Sequence, residues 1–142
     1  MRRAIRHSFA IAACLCLAFA ACDRGFSAQG PKNAQTGIDG YRANCSACHQ
    51  TNGEGIPGVF PPLKGSGAVN KPDASKHIQV VLYGMQGARA GGVIYAAAMP
   101  PFGGALSDDE IADIINYERR SWGNRGTPVT AAQVAAERRR SK

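Results

Sequence analysis

The sequence predicts a small all-α domain. Apolar residues recur at helical spacing in three separate stretches, a reciprocal capping pair opens the longest of them, and no segment of any length alternates with the period of a strand. At 142 residues the chain fits a single domain. Hydrophobic residues make up 44% and charged residues 19%, and glycine and proline follow no repeat, so the composition is globular rather than disordered or fibrous.

The first element is an address. Arg2, Arg3 and Arg6 precede an apolar run of 13 residues, Phe9 to Ala21. A membrane-spanning helix needs roughly 18 or more, so residues 1–21 read as a secretory signal peptide, with Ala18-Phe19-Ala20 as a small-residue cleavage site. Phe19-Ala20-Ala21-Cys22 is similar to a bacterial lipobox, which makes Cys22 the candidate lipidated N-terminus; ordinary cleavage after Ala20 is the other outcome. The expected product is exported to the periplasm, and an acylated Cys22 would hold it against the inner-membrane surface. Residues 22–35 are polar and contain Gly30 and Pro31, the composition of a flexible tether.

In the segment 36–49, Ile38, Tyr41, Cys45 and Cys48 repeat at intervals of 3, 4 and 3 and share one helix face. Gln50 to Leu63 is punctuated by Gly53, Gly55, Pro57, Gly58, Pro61 and Pro62 and reads as loop. Asp73 is a candidate N-cap for a helix over Ala74 to Tyr83, with Ile78, Val81 and Leu82 as its apolar face and Gly84 as its stop. Gly84 to Ala98 is Gly-rich, with a helical turn expected near Ile94 to Ala98. Ser107 and Glu110 form an S-x-x-E capping box with acids in the first turn, and it opens a helix over 108–122. Ile111, Ile114, Ile115 and Glu118 mark the faces of that helix, and Gly123 ends it. A weaker box, Thr130 to Gln133, opens a helix to about Arg139 within a basic extension, residues 125–142, expected to lie on the surface or fray.

The net charge of +7 is not carried by the core: from Thr36 to Trp122 there are 7 basic and 8 acidic side chains, so the excess sits at the ends. A nucleic-acid protein carries its basic stripe on the folded domain, so no nucleic-acid partner is expected. Arg138, Arg139 and Arg140 read as a solvated tail or as a contact for anionic lipid or an acidic partner.

Cysteine usage carries the chemistry. Cys14 and Cys16 leave with the leader and Cys22 is the lipidation candidate, which leaves Cys45-Ser46-Ala47-Cys48-His49. Cys-x-x-Cys-His is the attachment signature of a c-type haem. Two thiols spaced by two small residues reach the two vinyl groups on one edge of the porphyrin, and His49 follows as the proximal iron ligand. A zinc site lacks two further ligands at suitable spacing. A thioredoxin-like pair lacks its βαβ setting, and a disulfide across so small a loop stabilises little. The sixth ligand comes from Met99, Met85 or His77. Met99 is the best candidate, because Pro100 and Pro101 stiffen the chain after it into an extended loop. Met85 reads as a packing residue, and His77 as solvent-facing or locally bonded. A thioether ligand is soft and neutral, raises the reduction potential and fills the last axial position, which favours electron transfer over catalysis.

With these residues in hand, the chain resembles a class I, mitochondrial-type monohaem cytochrome c over Gly37 to about Asn124. The resemblance rests on Cys45-Ser46-Ala47-Cys48-His49, the Gly53–Leu63 loop, Met99-Pro100 and the helix ending in Tyr117 and Trp122. It implies a cytochrome c domain over residues 36–124, three to five helices around one covalently bound haem c. It also implies that the carbonyl of Pro61, or of Pro62, accepts a hydrogen bond from the haem histidine, and that Tyr41, Phe60, Tyr117 and Trp122 pack the helix contact and the haem pocket. Gly55 to Leu63 and Tyr117 to Asn124 are similar to the monohaem domains that accompany periplasmic dehydrogenases and terminal reductases or oxidases. The implied function is one-electron transfer between redox partners by a protein that is not itself an enzyme. The alternative is a haem enzyme or gas sensor with an open or labile sixth position.

Overall fold

The computed structural model describes residues 34–140; the leader, Cys22 and most of the tether lie outside the described residues. The elements are α1 (Ala34–Asn44), α2 (Ser46–His49), α3 (Gly67–Asn70), α4 (Ser75–Tyr83), β1 (Ala88–Ala90), β2 (Val93–Tyr95), α5 (Asp108–Arg120) and α6 (Ala131–Arg140). The fold is mostly helical, as the periodicity predicts. It has six helices among the described residues where three to five were expected, two of them single turns.

The expected helix over 36–49 begins at Ala34 and breaks at Cys45, where the backbone tightens: Cys48 N–H and His49 N–H both donate to the Cys45 carbonyl, at 3.2 and 3.0 Å. Helix α1 crosses α5 closely. A Cβ at Gly37 would lie 2.4 Å from the Asp113 carbonyl oxygen, so any side chain there pushes the two helices apart. Beside the crossing, the rings of Tyr41, Tyr117 and Trp122 form a mutual cluster with centroids 5.2 to 5.5 Å apart, tilted or edge-on as aromatic quadrupoles prefer.

The main core lies between α4, α5 and α6. Ala74, Ile78, Val81 and Leu82 meet Ile111, Ala112 and Ile115, with Val129 and Val134 closing the cluster. Asp73 stabilises the start of α4, its carboxylate accepting from Ser75 N–H at 2.9 Å. Both halves of the Ser107–Glu110 capping box are formed. Arg119 is fully buried and donates to the carbonyls of Thr127, Val69 and Lys71, at 2.6 to 2.7 Å. It thereby ties α3, α5 and the following segment together.

Two expectations need correction. No helical turn forms over Ile94 to Ala98. Instead β1 and β2 pair antiparallel with Ala88 opposite Tyr95, across a two-residue turn in which Gly91 and Gly92 both have positive φ, 57° and 80°. Glycine adopts that pair of angles without strain, and the resulting turn matches strand twist. The segment after Arg125 is also not a loose tail. Val134 is fully buried and Glu137 nearly so, and Arg138 turns inward to donate to Asp108, Gly103 and Leu106. With its guanidinium so engaged, Arg138 is not free for a lipid surface; Arg139 and Arg140 remain exposed.

Candidate functional site

Cys45, Cys48, His49, Pro61, Met85 and Met99 all line one mostly apolar cleft, with Phe60, Leu63, Val80, Val81 and Phe102 among its other walls. Its empty space is about 1190 Å³, part of it open to solvent. Its walls come from α1 and α2, the 60–63 loop, α3, α4, α5 and the Met99 segment.

His49 is 92% buried, and its Nδ1 lies 2.9 Å from the Pro61 carbonyl oxygen. A carbonyl only accepts, so Nδ1 carries the proton and donates, and Nε2 keeps its lone pair. That is the tautomer a metal-binding imidazole requires. The Pro61 carbonyl is presented by a tight loop: Ile56 and Phe60 bridge each other, and Gly55 N–H donates to the His49 carbonyl at 3.0 Å. Cys45 and Cys48 are free thiols. Burial pushes the Cys45 thiol up, with the Glu118 and Cys48 charges adding to the shift.

Met99 is held at both sides. Its N–H and C=O pair with those of Met85, at 2.8 and 3.1 Å, and beyond the two prolines Phe102 and Gly103 donate to the Val81 and Leu82 carbonyls, both at 3.0 Å. The segment therefore runs along the C-terminal end of α4. Gly84 makes this approach feasible: its φ is +76°, and a Cβ there would lie 2.4 Å from the Met99 carbonyl. The proline stiffness seen in the sequence is thus supplemented by four backbone hydrogen bonds. Directly opposed residues of an antiparallel pair project to the same face, which is why Met85 shares the cleft with Met99 rather than packing elsewhere.

His77 corrects another expectation. It is neither solvent-facing nor locally bonded: its Nε2 lies 2.8 Å from the Glu118 carboxylate, both side chains are buried, and both line the cleft. Sequence reasoning gave His77 a place only as a lesser candidate for the sixth ligand and gave Glu118 no site role, although the signal for both as cleft walls was there. Glu118 follows Ile111 by seven and Ile114 by four, on the buried stripe of α5, and His77 precedes Val81 by four on that of α4.

The residues present fit a covalently held haem. Two thiols at one edge, one imidazole with a free lone pair and a fixed ring, a thioether on a rigid segment and an apolar cleft of this size form its donor set and its container.

The comparisons agree with that chemistry. The family model described as Cytochrome c matches residues 34–121. The chain is 37% identical over 109 residues to the gluconate 2-dehydrogenase cytochrome c subunit of Pantoea cypripedii, covering 75% of this chain and 25% of that one. It is 36% identical over 96 residues to the cytochrome c subunit of the quinone alcohol dehydrogenase of Gluconobacter oxydans, covering 68% and 20%. Against cytochrome c-552 of Thermus thermophilus it is 37% identical over 120 residues, covering 69% of this chain and 91% of the relative. The chain thus spans a quarter or less of the two dehydrogenase subunits, whereas the match covers 91% of the Thermus cytochrome.

Proposed function

The chain belongs to the cytochrome c family and holds covalently bound haem c, and from that premise we propose that it is a periplasmic one-electron carrier with His49 and Met99 as axial ligands. The bound haem supplies a one-electron iron couple. Cys45 and Cys48 fasten it through two thioethers, so it is retained in both oxidation states. Pro61 fixes the His49 ring and, by accepting its Nδ1–H, makes Nε2 a stronger donor. The paired, proline-flanked segment holds the Met99 sulfur in place with little freedom to leave. The apolar walls would limit the water around the haem, which lowers the reorganisation that accompanies each electron step. With His49 and Met99 as its protein ligands, the iron would have no position left for a substrate. The partners we propose are a dehydrogenase as donor, of the gluconate- or alcohol-oxidising kind named among the relatives, and a terminal reductase or oxidase as acceptor. An export signal over 1–21 and lipidation at Cys22 would place the carrier at the outer face of the inner membrane.

The observation that carries this reading is the meeting of Cys45, Cys48, His49 and Met99 in one apolar cleft, with His49 in the ligating tautomer. The test is a visible spectrum of the exported protein, oxidised and reduced, with and without carbon monoxide. A low-spin spectrum indifferent to carbon monoxide is expected, with a far-red sulfur-to-ferric band that Met99→Ala abolishes. A high-spin or carbon-monoxide-reactive wild type would overturn the carrier reading in favour of an open-site enzyme or sensor.

A further inference from the structure

The buried pair His77–Glu118 is not needed to hold a haem, yet it lines the same cleft as Cys45 and His49. The two residues come from different helices, 41 positions apart, and their side chains are 6% and 4% exposed. Burying a carboxylate without a cation is costly, so the arrangement calls for an explanation.

Its protonation can be read from its hydrogen bonds. Nε2 of His77 faces the Glu118 carboxylate at 2.8 Å, while Nδ1 is buried with no partner. Were the ring an imidazolium, Nδ1 would be a buried N–H with nothing to accept it. A neutral ring that donates from Nε2 leaves at Nδ1 only a bare lone pair, the cheaper orphan. The resting pair is therefore a neutral imidazole and a carboxylate, one net negative charge against the cleft.

Among the described residues no other buried charge lining the cleft neutralises it. From α1 the pair is faced by Tyr41, and from the break after it by Cys45; burial raises the proton affinity of both, with the Glu118 charge adding to the shift. His49 of α2 lines the same cleft, with its Nδ1 proton committed to Pro61. Lys76 of α4 and Arg89 of β1 line the cleft but are exposed. Among the residues of α3 none is titratable. On α5 the flanking Tyr117 is an uncharged ring, and Arg119 spends its guanidinium on three carbonyls.

We propose that His77 and Glu118 form a proton site coupled to the electron: when one electron enters the iron, the pair takes one proton from solvent at His77 Nδ1, and it releases that proton on oxidation. The inference rests on the haem-carrier reading. Reduction removes one positive charge from the iron, and with it the attraction that favours an uncompensated carboxylate nearby. The protonated pair, an imidazolium hydrogen-bonded to a carboxylate, has no net charge and suits the reduced centre. The protein then exchanges hydrogen equivalents rather than bare electrons over the pH range in which the site responds.

The test is the reduction potential of the haem-loaded protein from about pH 5 to about pH 9, which spans the range where histidine titrates. The expected result is a potential that falls as pH rises within part of that range, with a slope approaching about 59 mV per pH unit, the one-electron equivalent of a tenfold change in proton concentration. Glu118→Gln should raise the potential at the alkaline end and flatten the slope. A wild-type potential independent of pH, or a slope that survives Glu118→Gln, overturns the proposal. Should that variant not mature, nitrogen NMR of wild-type His77 decides: Nδ1 must protonate at higher pH in the reduced form than in the oxidised form, and equal titrations overturn it. A protein without the thioether-haem spectrum would overturn the carrier reading as well, whereas a haem spectrum with a flat potential overturns this proposal alone.

Discussion

The Tyr41 hydroxyl donates to the Gln50 carbonyl at 2.6 Å from a ring that is completely buried. Gln50 holds a positive φ of 61° immediately after the haem histidine, so this bond secures the strained exit from the Cys-x-x-Cys-His turn. Tyr41→Phe should cost about 1 kcal/mol, the net worth of a typical hydrogen bond, read as a lower midpoint in chemical denaturation. The same residue sets an alkaline limb. Burial, with the Glu118 charge second, pushes the Tyr41 phenol above its ordinary value. A group that holds its proton more tightly when folded contributes stability that is complete below the unfolded value, about pH 10, and is lost as pH rises above it. Wild-type stability should therefore fall on the alkaline side, and the fall should be shallower in Tyr41→Phe; equal alkaline slopes would count against it. Asp73 acts at the other end. The Ser75 N–H holds its carboxyl below the usual range, so its contribution is present above the unfolded value and disappears as pH falls through the folded one. Asp73→Asn should lessen the loss of stability in acid melts. Within the cleft, Met85→Leu should retain the far-red band that Met99→Ala loses.

At the scale of elements, α6 separates what the sequence discloses from what it conceals. Thr130 and Gln133 announce its start, and the structure forms that box, with Gln133 N–H donating to Thr130 Oγ1 at 3.3 Å and Thr130 N–H donating to Gln133 Oε1 at 2.8 Å. The docking of the helix was not legible. A stretch of Ala, Glu and Arg shows little apolar stripe, and one fully buried Val134 together with the inward turn of Arg138 does the anchoring. Val134→Ala should destabilise the protein by about 1–3 kcal/mol, the range for uncovering a buried aliphatic side chain, seen as a reduced melting temperature; an unchanged one would return α6 to the status of a loose tail. Helix α5 was legible to its first residue because capping chemistry is local. The hairpin was missed for the opposite reason. Its strands have three residues each, too short for alternation to register, and the real signal was Gly91-Gly92, a pair that favours a two-residue turn.

For the whole molecule, the cleft is the place where the fold is incomplete without its cofactor. The protein-only core is confined to the junction of α4, α5 and α6, and the aromatic cluster of Tyr41, Tyr117 and Trp122 forms a second, smaller contact. Between them lies an apolar cleft of about 1190 Å³, lined by parts of α1, α2, α3, α4, α5 and the Met99 segment. The sequence disclosed this organisation through Cys45, Cys48 and His49, because covalent attachment leaves a fixed spacing. It did not disclose Met85, His77 or Glu118 as walls, because burial against a cofactor and burial against protein give the same periodicity. Without the haem those walls would meet water, and a domain this small buries too little other apolar surface to compensate. Cys45→Ser combined with Cys48→Ser removes both proposed thioethers while changing little of the chain. In a preparation free of haem, that variant should lose most of its far-UV helical signal and its cooperative thermal transition, while the haem-loaded wild type retains both. Partial recovery of helix on adding haem would follow from the same logic, since the proposed ligands His49 and Met99 would remain. A haem-free variant melting cooperatively near the wild-type temperature would mean that the protein closes the cleft by itself, and the cofactor would then be a passenger in the fold rather than part of its core.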